Sequence, residues 1–235
     1  MGERLKGLTY STLPEDQRRL LDNTFFQATI VDTDGSRDSL EVVYQIFERL
    51  NAGGTQLTPH EIRVALYAGP FIDFLEKLNQ GATWRSIYGK ASPRLRDQEL
   101  ILRILALYAV APTYKRPLKS FLNNFAAEHR YLERLNPEVF EASFEKASNV
   151  IAEAAGRQAV RYHGSQVNAA LAEALFVGLM RRLDFEQEIA TQAVAAAITD
   201  IQNDPDIEFA ISRSTAAEES VKTRLEISTK RFARA

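Results

Sequence analysis

Apolar residues recur every three or four positions along most of the chain, which predicts a helical protein. Leu40, Val43, Tyr44, Phe47 and Leu50 give an amphipathic helix over Ser39–Asn51, stopped by Gly53-Gly54. The next start is marked by Thr58-Pro59-His60-Glu61: an N-cap, a proline at N1 and a glutamate at N3, with Leu57 and Ile62 placed for a hydrophobic staple. Similar spacing predicts helices near 70–80, 96–111, 117–132, 137–155, 167–183 and 185–202. A first helix follows Thr12 and Glu15, and a last one runs from Thr215 to Phe232, each opening on a T-x-x-E box. Phe121 with Phe125, Phe140 with Phe144, and Trp84 read as core.

One segment breaks the pattern. Phe25–Asp32 is β-branched and aromatic, has no helical period and runs into Asp34-Gly35, which predicts a short strand. A lone strand leaves its backbone groups unpaired, so it needs Val160-Arg161-Tyr162, a poor candidate, or a sheet on another chain. The expected fold is mostly α: a multi-helix, bundle-like domain with one short N-terminal strand. The expected division is residues 1–68 and a helical domain over 69–235.

With 45% hydrophobic residues in 235, the chain has material for a substantial core. Lys+Arg number 29 and Asp+Glu 31, so attraction to a polyanion must come from a local patch. Cysteine is absent, which excludes disulfide scaffolds, thiolate metal sites and a cysteine nucleophile. The longest apolar stretch, Leu100–Ala111, is interrupted by Arg103 and too short to span a bilayer, and Met1-Gly2-Glu3-Arg4 opens no secretory signal. The expectation is a cytoplasmic protein with no membrane partner.

The chemistry concentrates in Phe47–Arg63. A Gly-rich turn facing a helix N-terminus can hold an anion, with Arg49 or Arg63 as a charged clamp. The same residues also serve as plain caps: Gly53 a C-cap, Arg49 a dipole complement, Glu61 half of a capping box. Arg157, Arg161, Tyr162 and His163 form a basic, aromatic cluster able to touch phosphate or a base, or simply a solvated loop. Lys222, Arg224, Lys230, Arg231 and Arg234 make the last helix basic. The histidines have no metal-ligand spacing; His60 in a first turn and His129 in a charged helix are expected at the surface.

The run Phe47–Arg63, continued by Ala65-Leu66-Tyr67, closely resembles the FERLN-x-GG-x-x-L-x-x-x-E-[IL]-R signature of the GmrSD-type restriction endonuclease N-terminal domain family. Leu8-Thr9-Tyr10 with Leu13-Pro14, Asn168–Leu179, and Ser214-Thr215 with Arg224 are similar to other parts of that family. The resemblance implies a ParB/sulfiredoxin-like core followed by helices, nucleotide hydrolysis and nuclease activity, and defence against phage DNA. The family's F-Q-R segment and DGQQR-like motif have no counterpart in residues 1–50, so the chain is expected to match the helical half and to lack the ParB-like sheet. The residues themselves make no cofactor evident; by resemblance, Glu48, Arg49, Asn51, Gly53 and Gly54 would face nucleotide phosphates, with nucleotide and magnesium as the ligands the family implies. A ParB-like companion chain or N-terminal segment would complete the site.

Three readings follow from these residues. The chain is a regulatory half contributing a phosphate-facing loop; or an autonomous hydrolase or nuclease using Glu48 and Arg49; or a helical DNA- or protein-binding module using its basic last helix.

Overall fold

A computed structural model describes residues 5–25, 28, 30–32, 34, 36–50, 56–185 and 188–235. The chain forms two compact units, Met1–Asp34 and Gly35–Ala235. The first holds a 3-10 turn at Tyr10–Thr12 and helix α1, Glu15–Asp22. Pro14 stands at the N-cap of α1, so the expected Thr12–Glu15 box is not made; Thr12 instead closes a reciprocal cap with Thr9. The expected strand over Phe25–Asp32 lies in part outside the described residues, and Phe25 and Ile30 beside them are exposed.

The second unit is a bundle-like array of helices. It comprises α2 (Arg37–Leu50), α3 (Pro59–Leu66), α4 (Pro70–Gln80), α5 (Ala82–Tyr88), α6 (Arg96–Val110), α7 (Leu118–Glu128), α8 (Pro137–Ala154), α9 (Ala169–Phe185), α10 (Thr191–Gln202), α11 (Pro205–Ser212) and α12 (Glu218–Phe232). Among the described residues there is no sheet. The backbone pairing at Arg161 is one isolated antiparallel bridge to Val167. Helices α2 and α3 pack against α7 within this same unit.

Helix α9 is the axis of the fold. Its residues 170–180 are all buried, as suits a helix surrounded by others, and α6, α8, α11 and α12 pack against it. Small residues bring α12 close: Ser228 Oγ donates to the carbonyl of Ala174 at 2.6 Å, directly over Gly178. Trp84, Phe144 and Phe176 interlock beside α9 with ring centroids 5.3–5.6 Å apart. Trp84, Phe121, Phe125 and Phe144 are buried, as the spacing requires, and Phe140 is half-buried against the same core.

Two short helices escape the sequence pattern: α5, directly after Gly81, and α11, opened by Asp204 capping the amides of Asp206 and Ile207. The last helix starts at Glu218 without a side-chain cap, three residues later than expected; the carbonyl of Thr215 accepts from Arg224 instead.

The α9–α12 approach can be tested directly. A β-carbon at Gly178 would stand 2.9 Å from the carbonyl carbon of Ser228. Gly178→Ala should therefore cost about 1–3 kcal/mol in chemical unfolding, because backbone rather than a flexible side chain must yield.

Candidate functional site

One concave site collects most of the unusual chemistry. It is a cleft of about 570 Å³ between the start of α3, one face of α6, the end of α5 and the 157–169 connection into α9. Arg96, Glu99, Leu100 and Arg103 reach it from α6 at helical spacing of three, four and seven. Arg94, Arg157 and Arg161 complete a set of five arginines against a single carboxylate, Glu99.

Most of these charges are committed elsewhere. Arg161 is buried and donates to the carbonyls of Ile87 at 2.9 Å, Tyr88 at 2.8 Å and Ser165 at 2.9 Å, and to that of Arg157. It staples the connection to the end of α5. Burial lowers its pKa, but a guanidinium stays charged, so it adds to the positive field. Arg94 grips Glu61 with two bonds of 2.9 Å and takes the carbonyl of Gln56 at 2.6 Å, which fixes the approach to α3. Glu99 is engaged by the buried Arg63 at 3.3 Å. Arg103 meets Glu173 Oε1 at 2.5 Å, and Glu173 Oε2 accepts a hydrogen bond from Arg224. Burial alone would raise the Glu173 pKa; the two guanidiniums outweigh it and hold the carboxyl below its usual range.

The side chains of Arg96 and Arg157 are exposed and make no hydrogen bond or ion pair with another described residue. Arg96 is the first residue of α6, whose N-terminus has no side-chain cap. The helix dipole disfavours a cation there, so Arg96 and the helix end together favour an anion. Arg157 lies over Gly89, where φ is +107° and a β-carbon would come within 3.0 Å of Nη2.

The wall at α3 is built as its sequence predicts. Thr58 Oγ1 accepts from the amide of Glu61 at 3.2 Å, and Glu61 Oε2 accepts from that of Thr58 at 2.6 Å. The structure thus joins two features that sequence alone left separate: the signature's helix start and the Arg157–Arg161 cluster. Asn51, Gly53 and Gly54 lie outside the described residues. Glu48 pairs with Lys119 of α7 at 3.0 Å, Arg49 is exposed, and neither lines the cleft. His163 is exposed beside the Tyr162 ring, outside the lining. Sequence alone does not mark Arg94, Arg96 or Arg103 as site residues; Arg103 shows there only as an interruption of an apolar run.

Three expectations need correction. His60 and His129 are buried, not at the surface, since each turns inward from its helix end. The last helix is a free basic face only in part: Lys222 and Arg234 are exposed, but the other three cations are engaged. Arg224 is buried against Glu173, Arg231 pairs with Asp204 at 3.3 Å, and Lys230 with Glu226 at 3.8 Å.

Compared with known proteins, the chain matches no family model, no curated protein and no solved structure. Chemically, the cleft suits an anion. It does not suit magnesium, which favours one or two free carboxylates, because its one carboxylate is already paired with Arg63 and ringed by arginines. Among the described residues no group of three histidine, aspartate or glutamate side chains could hold a metal ion, and no helix is long and apolar enough to cross a membrane.

Two measurements check the α3 wall. Thr58→Ala should cost about 1 kcal/mol in chemical unfolding, the value of an N-cap. His60 Nε2 contacts Gln98 Oε1 at 2.9 Å, and burial, reinforced by Arg63, lowers its pKa to about 4 from 6.5. The unfolded chain therefore binds a proton before the folded one does. Stability should be full above pH 6.5 and fall as pH drops toward 4, by about 3 kcal/mol at most. His60→Gln should flatten that part of the stability profile.

Proposed function

We propose that this chain is the helical, phosphate-handling part of a GmrSD-type prokaryotic restriction or DNA-processing protein that works in the cytoplasm. In this reading it acts with a ParB-like segment, whose sheet carries the reaction, while the helical part holds the phosphates of a nucleotide or of phage DNA. The family resemblance supplies the biological setting. The observation that carries phosphate binding is the cleft: five arginines face one carboxylate, and Arg96 and Arg157 are left for a ligand. In a chain with a formal net charge of −2, that excess of cations is local.

The cleft lies where the signature's second helix begins. Thr58 and Pro59 form part of its wall, and Arg94 ties the preceding backbone to Glu61. A phosphate entering it would thus touch the element on which the resemblance rests. Arginine suits the task because its planar fork can bond two phosphate oxygens at once.

Binding of a fluorescent single-stranded oligonucleotide and a nucleoside triphosphate to the purified chain tests this reading. At low salt, R96A/R157A should weaken binding at least about tenfold, and the wild-type affinity should fall as salt rises. The melting temperature should stay within a few degrees, because both side chains are exposed. Unchanged affinity in the double variant would sink the proposal.

A further inference from the structure

The cleft contains one cation whose commitment differs from the others. Arg94 and Arg161 hold backbone in place, and releasing either would unpin a wall. Arg103 holds only Glu173, by a charge contact rather than an aligned hydrogen bond. Glu173 is fully buried, so stripping it of all partners would leave an uncompensated charge in the core. It has a second guanidinium, however. Arg224 is itself buried, hydrogen-bonds Oε2, and is anchored to the carbonyl of Thr215. Arg103, with its side chain 16% exposed and lining the cleft, can therefore turn to a ligand while Glu173 stays paired.

This redundancy sets a condition on the ligand. An anion that recruits Arg103 must compete with a full carboxylate charge at 2.5 Å. A phosphodiester offers one charge and two free oxygens. A terminal phosphate carries about 1.5–2 negative charges at neutral pH and three acceptor oxygens, enough to engage Arg96, Arg103 and Arg157 together. Resting on the reading of the cleft as a phosphate site, we infer that it selects a terminal phosphate, a phosphomonoester, over the diester backbone of nucleic acid. Arg96 and Arg157 are the standing contacts, and Arg103 is the residue that confers the preference.

The monoester can be free or can sit at a strand end, and the test separates these sources. Fluorescence anisotropy compares one short single-stranded oligonucleotide carrying either a 5′-phosphate or a 5′-hydroxyl. The competitors are inorganic phosphate, a nucleoside 5′-monophosphate and the methyl ester of that monophosphate. The 5′-phosphorylated strand should bind at least about tenfold tighter, and the monophosphate should compete better than its methyl ester. If the monophosphate binds but neither strand does, the ligand is a free monoester and the inference stands.

R103Q, in which Glu173 keeps Arg224, should bring the two strands to near parity, while R96A/R157A should weaken both. Equal wild-type affinity for the two strands, with R96A/R157A still weakening them, overturns the preference and leaves the phosphate site intact. No binding of any probe overturns both. Full preference in folded R103Q removes Arg103 from the assignment; if R103Q does not fold, the strand comparison in the wild type still decides.

Discussion

Glu173 lies in α9, the helix around which the bundle packs, fully buried, where an ionised carboxyl without partners would cost several kcal/mol. The fold meets that constraint by delivering a guanidinium from each side: Arg103 from α6 and Arg224 from α12. These three helices form the centre of the bundle; the Glu173–Arg224 pair ties α9 to α12, and Arg103 adds a contact from α6. The close passage of Ser228 over Gly178 adds a second point of register on the same pair, α9 and α12.

The same economy recurs around the cleft. Arginine serves there chiefly as a staple: Arg161 on carbonyls, Arg94 on Glu61 and a carbonyl, Arg63 on Glu99 and the side chain of Asn123 at 2.7 Å. Each joins elements remote in sequence. The field these staples create is positive, because fewer carboxylates than guanidiniums face the opening. Arg96 and Arg157 inherit that field without being consumed by it. Such a site follows from the architecture itself, since the cations that hold its walls also prepare it for an anion.

Local physics made much of this legible in the sequence. The Thr58–Glu61 box is a matter of four consecutive residues, and it forms as written. The periodicity of α4, α6 and α8 located those helices to within a residue or so. The failures share a cause. His60 sits in a first turn, usually an exposed place, and is buried because Gln98, thirty-eight residues away, lies against it. Arg224 belongs by composition to a basic face, yet its partner is Glu173, fifty-one residues distant. Helices α5 and α11 are too short for a periodic signal and depend on what surrounds them. Arg103 was legible only as an interruption of an apolar run; nothing in the linear pattern tells an interruption from a buried counter-ion facing a cleft.

A buried ion triad is a poor source of net stability, since apolar residues of similar volume often do as well. Its presence here therefore calls for a reason beyond holding helices together. Two guanidiniums on one carboxylate leave a net positive charge beneath the cleft, and only Arg103 is open to that side. A simple Glu–Arg pair would have been neutral, and its arginine could not leave without orphaning the glutamate. The third member changes both properties. It makes the cluster cationic, and it makes one of its arginines expendable to the core. Those are the two properties a cleft needs in order to offer a guanidinium to an anion while the helices behind it keep their register.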